Sequence, residues 1–325
     1  LESIWVADEH VFEGASVYTC APVLRVGPVR QGEVARSRGT TFESLPALHV
    51  DADAWTRCDS WSPIAAAAWG VPEVPLATQG TIGEIAQATA DFRDQYYGLE
   101  GFLVEDAATP GATEASHPRL VTTGLIDLAR MRWGERSVRM LRKAWQAPRV
   151  DRRRMEREGT LGPWLARRLT PKILLATQTR VLEAWVDEAG EVVPCIPLLT
   201  ITPRAGVDLW LIAAAVASPV ACAVAMQRHA GTALTIDAIK LSAAQTMLLP
   251  RPIDAGRWEE AASLFKHASR TSSDPDRRDA LVRFGRAMCE AYGLEREVRE
   301  VVATWWQSRL AASERTTRGA GTVRS

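Results

Sequence analysis

Between Arg119 and Arg180 the chain places sixteen Lys and Arg residues against five Asp and Glu, a local charge of +11 in 62 residues. The 325-residue chain carries no net charge, so the rest holds the balancing −11. Cations gathered into one part of a neutral chain polarise its field, and the partner such a field attracts is a polyanion. Ahead of that stretch, Phe92-Arg-Asp-Gln-Tyr-Tyr97 sets Phe92, Tyr96 and Tyr97 beside Arg93 and Gln95. Aromatic rings stack on bases, while Arg and Gln carry paired groups that match guanine and adenine edges. Nucleic-acid recognition is the chemistry these residue types can do. Each also has a structural reading: arginine-rich helices are solvated whatever they bind, and these aromatics would look the same on the buried face of a helix.

Other chemistries find less support. The five cysteines (Cys20, Cys58, Cys195, Cys222, Cys289) are scattered and form no C-x-x-C pair, against both a disulfide framework and a zinc site, so a reduced, cytoplasmic setting is expected and no metal. There is no G-x-S-x-G, H-E-x-x-H or P-loop, and the five histidines are isolated, so a self-contained hydrolase is disfavoured. Thirty-five of the 39 basic residues are Arg, a bias that a GC-rich genome imposes on every protein it encodes. Leu1-Glu-Ser-Ile-Trp5 lacks the basic start and apolar run of a signal peptide. Leu209–Met226 reaches membrane-spanning length, but Ser218-Pro219 interrupts it and Asp208 and Arg228 flank it, so a buried helix is expected and no membrane partner.

The elements that must position these residues follow from pattern. Ser3–Ala7 and Ala15–Gly27 read as two strands joined by a turn, too few to stand alone and hence the edge of a larger sheet. Residues 28–76, rich in Pro and Ala with Trp55, Trp61 and Trp69, read as a packed connector with one short helix over Ser62–Trp69. Thr81-x-x-Glu84 is a capping box that predicts a helix start. Leu120–Asp127 reads as strand and turn, Arg136–Trp145 as strand or short helix, Arg149–Arg168 as helix and Ile173–Thr177 as a buried strand. Two more strands are expected around the turn Asp187-Glu-Ala-Gly190, then the apolar helix capped by Asp208. Apolar positions spaced by three and four predict helices over Trp258–Leu310, and residues 311–325 read as a polar tail.

The order of several motifs resembles a known family. Trp5-Val-Ala7, Ala21-Pro-Val-Leu24, Ile82-Gly-Glu-Ile-Ala86 and Phe92–Gly98 come first. Leu120-Val-Thr-Thr-Gly-Leu-Ile-Asp127, Trp133-Gly134, Pro171-Lys-Ile-Leu174, Ala217-Ser-Pro219, Ile239-Lys-Leu241 and Leu248-Leu-Pro250 follow. In that order they resemble the C-terminal half of N6-adenine DNA methyltransferases, more narrowly the bacterial N-6 DNA methylases of restriction-modification and phage-defence systems. The resemblance covers most of residues 1–255. It implies an α+β chain: residues 1–76 as edge strands of the methyltransferase sheet and a connector, 77–255 as a target-recognition domain, and 256–325 as C-terminal helices and tail.

It also implies a division of labour. Enzymes of this family carry a glycine-rich loop for S-adenosylmethionine and an Asn-Pro-Pro-Tyr-type motif for the extruded adenine. This sequence has no Asn at all, nor Asp-Pro-Pro-Tyr, so the chain is expected to hold duplex DNA while a catalytic part elsewhere flips the base and transfers the methyl group. Arg130, Arg132, Arg136, Arg139, Lys143, Arg149, Arg152 and Lys172 are expected on phosphates. Arg93, Gln95, Gln178, Thr179 and Arg180 are expected at base edges, and Phe92, Tyr96 and Trp133 as stacking or wedge residues. With Gln alone left to read adenine and Arg abundant for guanine, the recognition site is expected to contain G·C pairs. The alternative is a non-catalytic subunit or scaffold whose basic stretch meets an acidic partner.

Overall fold

The computed structural model describes residues 1–9, 11–12, 19–27, 32–50, 62–77, 80–159, 161–229, 233 and 237–320. Alternation puts Ile4 and Val6 on one face of β1 (Ser3–Val6), where with Val34 they pack on Ile64, Ala65 and Ala68 of α1 (Ser62–Ala68). β1 lies between β2 (Cys20–Val23), antiparallel, and β3 (Gly32–Arg38), parallel, and β4 (Glu43–Val50) closes the sheet beyond β3. The expected second strand is thus confined to Cys20–Val23 among the described residues, with 13–18 outside them. The expected connector is corrected, because it contributes the β3–β4 pair as well as α1. Trp55 and Trp61 lie outside the described residues. On the far face Trp5 stands 5.9 Å from the exposed Phe42 ring and donates its Nε1 proton to the Gly39 carbonyl at 2.8 Å.

The capping box at Thr81 forms, with the Thr81 N–H donating to Glu84 Oε1 at 3.0 Å, but it opens only a single 3-10 turn. A longer helix is pre-empted: Ile85 O, which the next helical turn would need, accepts the Arg204 N–H at 2.8 Å, and strand β5 (Ala86–Ala90) follows. Next come α2 (Arg93–Gly98), β6 (Leu103–Glu105), β7 (Arg119–Val121), β8 (Ile126–Asp127), β9 (Arg130–Met131), β10 (Val138–Met140), β11 (Lys143–Trp145) and β12 (Pro148–Val150). The helix expected over Arg149–Arg168 is two short ones, α3 (Arg152–Glu158), capped by Asp151, and α4 (Gly162–Arg168), with Gly159 and Gly162-Pro163 at the break.

β13 (Lys172–Ala176) is buried along its whole length between β14 (Glu183–Asp187) and β16 (Leu199–Pro203), and β5 completes this antiparallel sheet in the order β14-β13-β16-β5. β15 (Val192–Pro194) leaves it to pair parallel with β7, giving a second sheet ordered β15-β7-β12-β6. β8–β9 and β10–β11 are separate two-stranded ribbons.

The apolar run divides at Ser218 into α5 (Leu209–Ala217), capped by Asp208, and α6 (Pro219–His229), bent by 54°. Ser218 Oγ donates to Ala215 O at 2.8 Å and accepts the Ala221 N–H at 3.0 Å, so it satisfies both helix ends at the break. Among the described residues no single helix is long and apolar enough to cross a membrane, and residues 212–226 are buried as expected of a core helix pair. α7 (Ala243–Met247), α8 (Ala255–Arg270), α9 (Asp274–Ala291) and α10 (Arg296–Ala320) complete the chain. One apolar core joins Ile173 and Ile201 of the sheet to Ala213 and Val216 of α5, Phe265 of α8, Phe284 of α9 and Trp306 of α10. That core runs across residue 255, so the C-terminal helices are packed into the sheet's own interior. The molecule is mixed α+β, with small sheets and its longest helices at the C-terminal end.

Candidate nucleic-acid interface

A cation binds phosphate only if it is exposed and unclaimed, and most of the basic stretch is neither. Lys172 is fully buried and donates to Asp187 and, at 3.2 Å, to Thr170 O; burial depresses its pKa. Arg149 is buried against Asp106, Glu114 (3.1 Å) and the His117 carbonyl (2.7 Å), with its guanidinium 4.8 Å from the centre of the Trp133 ring. These two positions are corrections, since neither side chain can reach DNA. Arg130, Arg132 and Arg136 enter one ion-pair network: Arg130 with Glu135 (2.7 Å) and Asp274, Arg132 with Asp127 (2.6 Å), and Arg136 with Asp127 (3.1 Å). Arg152 is paired with Glu156 at 2.7 Å and Arg180 with Asp237. The negative charge outside the stretch therefore folds back onto it through Asp106, Glu114, Asp187, Asp237 and Asp274. Sequence alone could not show this, because the partners lie up to 144 residues away.

Three cations on one ribbon behave differently. Arg139, Arg142 and Lys143 are exposed, and none of them meets a carboxylate among the described residues. They sit on β10–β11, where Val138 pairs with Trp145, Arg139 with Ala144 and Met140 with Lys143, leaving Leu141 and Arg142 as a two-residue turn. Val138, Met140, Leu141 and Trp145 pack into a small core with Leu120, Val150 and Met155, so one face of the ribbon is anchored. Arg142 was not among the expected contacts, because a turn without Gly, Asn or Asp gives no hairpin signal.

Helix α2 abuts that turn. The Tyr96 hydroxyl accepts the Leu141 N–H at 2.8 Å, so Tyr96 is a support and not a stacking residue. Its neighbours are outside: Phe92 is 72% exposed, Tyr97 is 50% exposed, and Arg93 lies 5.2 Å from the Tyr97 ring centre. Gln95 Oε1 accepts the Phe92 N–H at 2.7 Å, which commits its acceptor to the start of the helix. Trp133 is also structural, wedged between the Arg119 and Arg149 guanidiniums with Nε1 donating to Pro148 O at 2.9 Å.

Ala90 and Leu175 both pair with Leu199, so the chain leaves β5 toward α2 and leaves β13 toward Gln178 at the same end of the main sheet. Gln178 is exposed with φ 71°, and its N–H donates to Ile239 O at 2.6 Å. Thr179 Oγ1 donates into its own turn, with the Ala176 carbonyl 3.3 Å away, and Arg180 Nη1 donates to Ala312 O at 2.9 Å. Of that trio Gln178 alone points a side chain outward.

The described residues do not fit S-adenosylmethionine, whose carboxylate and ribose call for a glycine-rich turn and an acidic partner. The cleft of about 330 Å³ lined by Pro63, Ala67, Val71, Glu73 and Gln227 is mainly apolar, and the Gln227 amide is spent on Pro72 O at 2.6 Å. No protein-family model matches the chain, and no curated protein matches it.

Proposed function

We propose that this chain is the DNA-binding, target-recognition portion of a site-specific adenine-N6 DNA methyltransferase, working with an S-adenosylmethionine-binding catalytic part that these residues do not supply. The order of motifs from Trp5 to Pro250 supports the family. The observation that carries DNA binding is the Tyr96–Leu141 hydrogen bond, which sets the exposed cations Arg139, Arg142 and Lys143 beside Phe92, Arg93 and Tyr97. Arg139 and Lys143 hold phosphates, Phe92 and Tyr97 offer ring faces, and Arg93 and Gln178 stand toward base edges. The test is binding of random duplex DNA by the purified chain across a salt series. Log affinity should fall with log salt with a slope of about −2, one unit for each of the phosphates that Arg139 and Lys143 hold; a flat response overturns the proposal.

Exposed Val23, Leu24 and Phe42 on and beside the N-terminal sheet favour a second reading, a non-catalytic subunit that meets a protein partner there. That reading predicts the flat salt response.

A further inference from the structure

The turn at the tip of β10–β11 is built from residues that resist it. Leu141 has φ 48° and Arg142 has φ 65°, both left-handed, which is the two-residue turn that Asn-Gly makes without strain. The chain holds Leu-Arg there by two devices. Leu141 is packed into the small core with Met140 and Trp145, and its N–H is fixed by the Tyr96 hydroxyl at 2.8 Å. Strain of this kind persists where surrounding structure over-determines it, and it places Arg142 at the tip of a ribbon anchored on one face, between the exposed cations Arg139 and Lys143.

We propose that the β10–β11 ribbon enters the major groove of duplex DNA and that Arg142 reads a guanine there, with Tyr96 as the residue that positions it; this rests on the DNA-binding reading above. A B-form major groove admits a two-stranded ribbon, and Arg matches guanine O6 and N7 with two parallel donors. The flanking cations Arg139 and Lys143 meet the phosphates on either side of the groove. Arg139 shares the outer face of the ribbon with its small partner Ala144, and Lys143 lies on the face of its partner Met140. Many arginines of this chain spend donors on carboxylates; Arg142 meets none among the described residues.

The experiment selects bound duplexes from a random pool with the purified chain at fixed salt and reads their sequence. Wild type should return a motif containing a guanine. Arg142→Lys keeps the charge and loses the paired donors, so discrimination at that guanine should fall roughly 5- to 150-fold. Arg142→Gly relaxes the left-handed residue and keeps the packed Leu141, so the same loss should accompany a Tm at or above wild type, a combination that damage to the fold cannot produce. Tyr96→Phe should weaken discrimination at that same guanine and leave the salt slope intact. A motif unchanged by Arg142→Lys overturns the inference and leaves the DNA-binding reading standing. A wild-type chain that binds no duplex overturns both.

Discussion

Lys172 and Asp187 face each other across the β13–β14 pair, and the buried ammonium donates to a carboxylate that also accepts the N–H groups of Gly190, Glu191 and Val192 at 3.0, 3.1 and 3.0 Å. One carboxylate thus neutralises the charge at the end of the central strand and shapes the turn that redirects the chain toward β15. Removing Asp187 strands a buried cation and three donors, whereas removing Lys172 leaves a carboxylate still held by three N–H groups. Asp187→Ala should therefore cost about 3–5 kcal/mol in urea unfolding, and Lys172→Met clearly less. The reverse order would show that the turn, and not the ion pair, is the lesser of Asp187's two roles.

Gly190 closes the same turn with φ 73°, and a Cβ placed on it would lie 2.5 Å from the Thr170 carbonyl carbon and 2.7 Å from Pro171 N. Both obstacles are backbone and cannot swing aside. Gly190→Ala should lower stability by about 2 kcal/mol or more, read as a fall in urea midpoint at unchanged m-value.

Glu183 is buried at the start of β14, its Oε1 accepting the Ser313 hydroxyl of α10 at 2.7 Å. Burial pushes its pKa up to about 8; the Ser313 hydrogen bond and the Arg136 charge lower it, and the Asp127 charge raises it. The folded state therefore binds a proton that the unfolded chain has already lost, from the ordinary carboxylate range up to about pH 8. In that window stability falls as pH rises, by about 1.4 kcal/mol per unit for one proton. Glu183→Gln should flatten the decline in Tm between pH 5.5 and 8. Parallel slopes in wild type and variant would exclude Glu183 as the titrating group.

The salt dependence of DNA binding should separate paired from unpaired cations. Arg139→Ala and Lys143→Ala should each reduce the slope of log affinity against log salt by about one and leave Tm unchanged. Arg132→Ala should do the opposite, lowering Tm while keeping the slope, because its charge is already met by Asp127 and Glu135 (3.1 Å). Equal slope losses at Arg132 and Arg139 would mean that the ion-pair network opens to the duplex.

What the sequence showed was local. Asp208 caps α5 and Ser218-Pro219 breaks the apolar run, as their types dictate, and the capping box at Thr81 forms with its expected hydrogen bond. What it hid was contributed from a distance. The Thr81 box opens a turn and not a helix because Arg204, 119 residues downstream of Ile85, takes that residue's carbonyl and residues 86–90 pair with 199–203. The β10–β11 hairpin lacks the glycine or asparagine that would announce it, and its strain is carried by a tyrosine 45 residues earlier. The basic stretch looked like one polycation; its neutralising partners come from α9, the β6–β7 connection and the β14 strand, so the ribbon, with Arg153 and Arg167, holds what remains of the field that the charge count suggested.

The last helix bears on how the chain is made. Arg309 donates to the Arg180 carbonyl at 2.8 Å and to the Asp237 carbonyl, and Trp306 fills the centre of the core beneath the sheet. A ribosome that has delivered β13 and β16 has therefore delivered strands whose covering layer does not yet exist. The interior closes only after residue 310 has cleared the exit tunnel, and until then the strands need protection from aggregation.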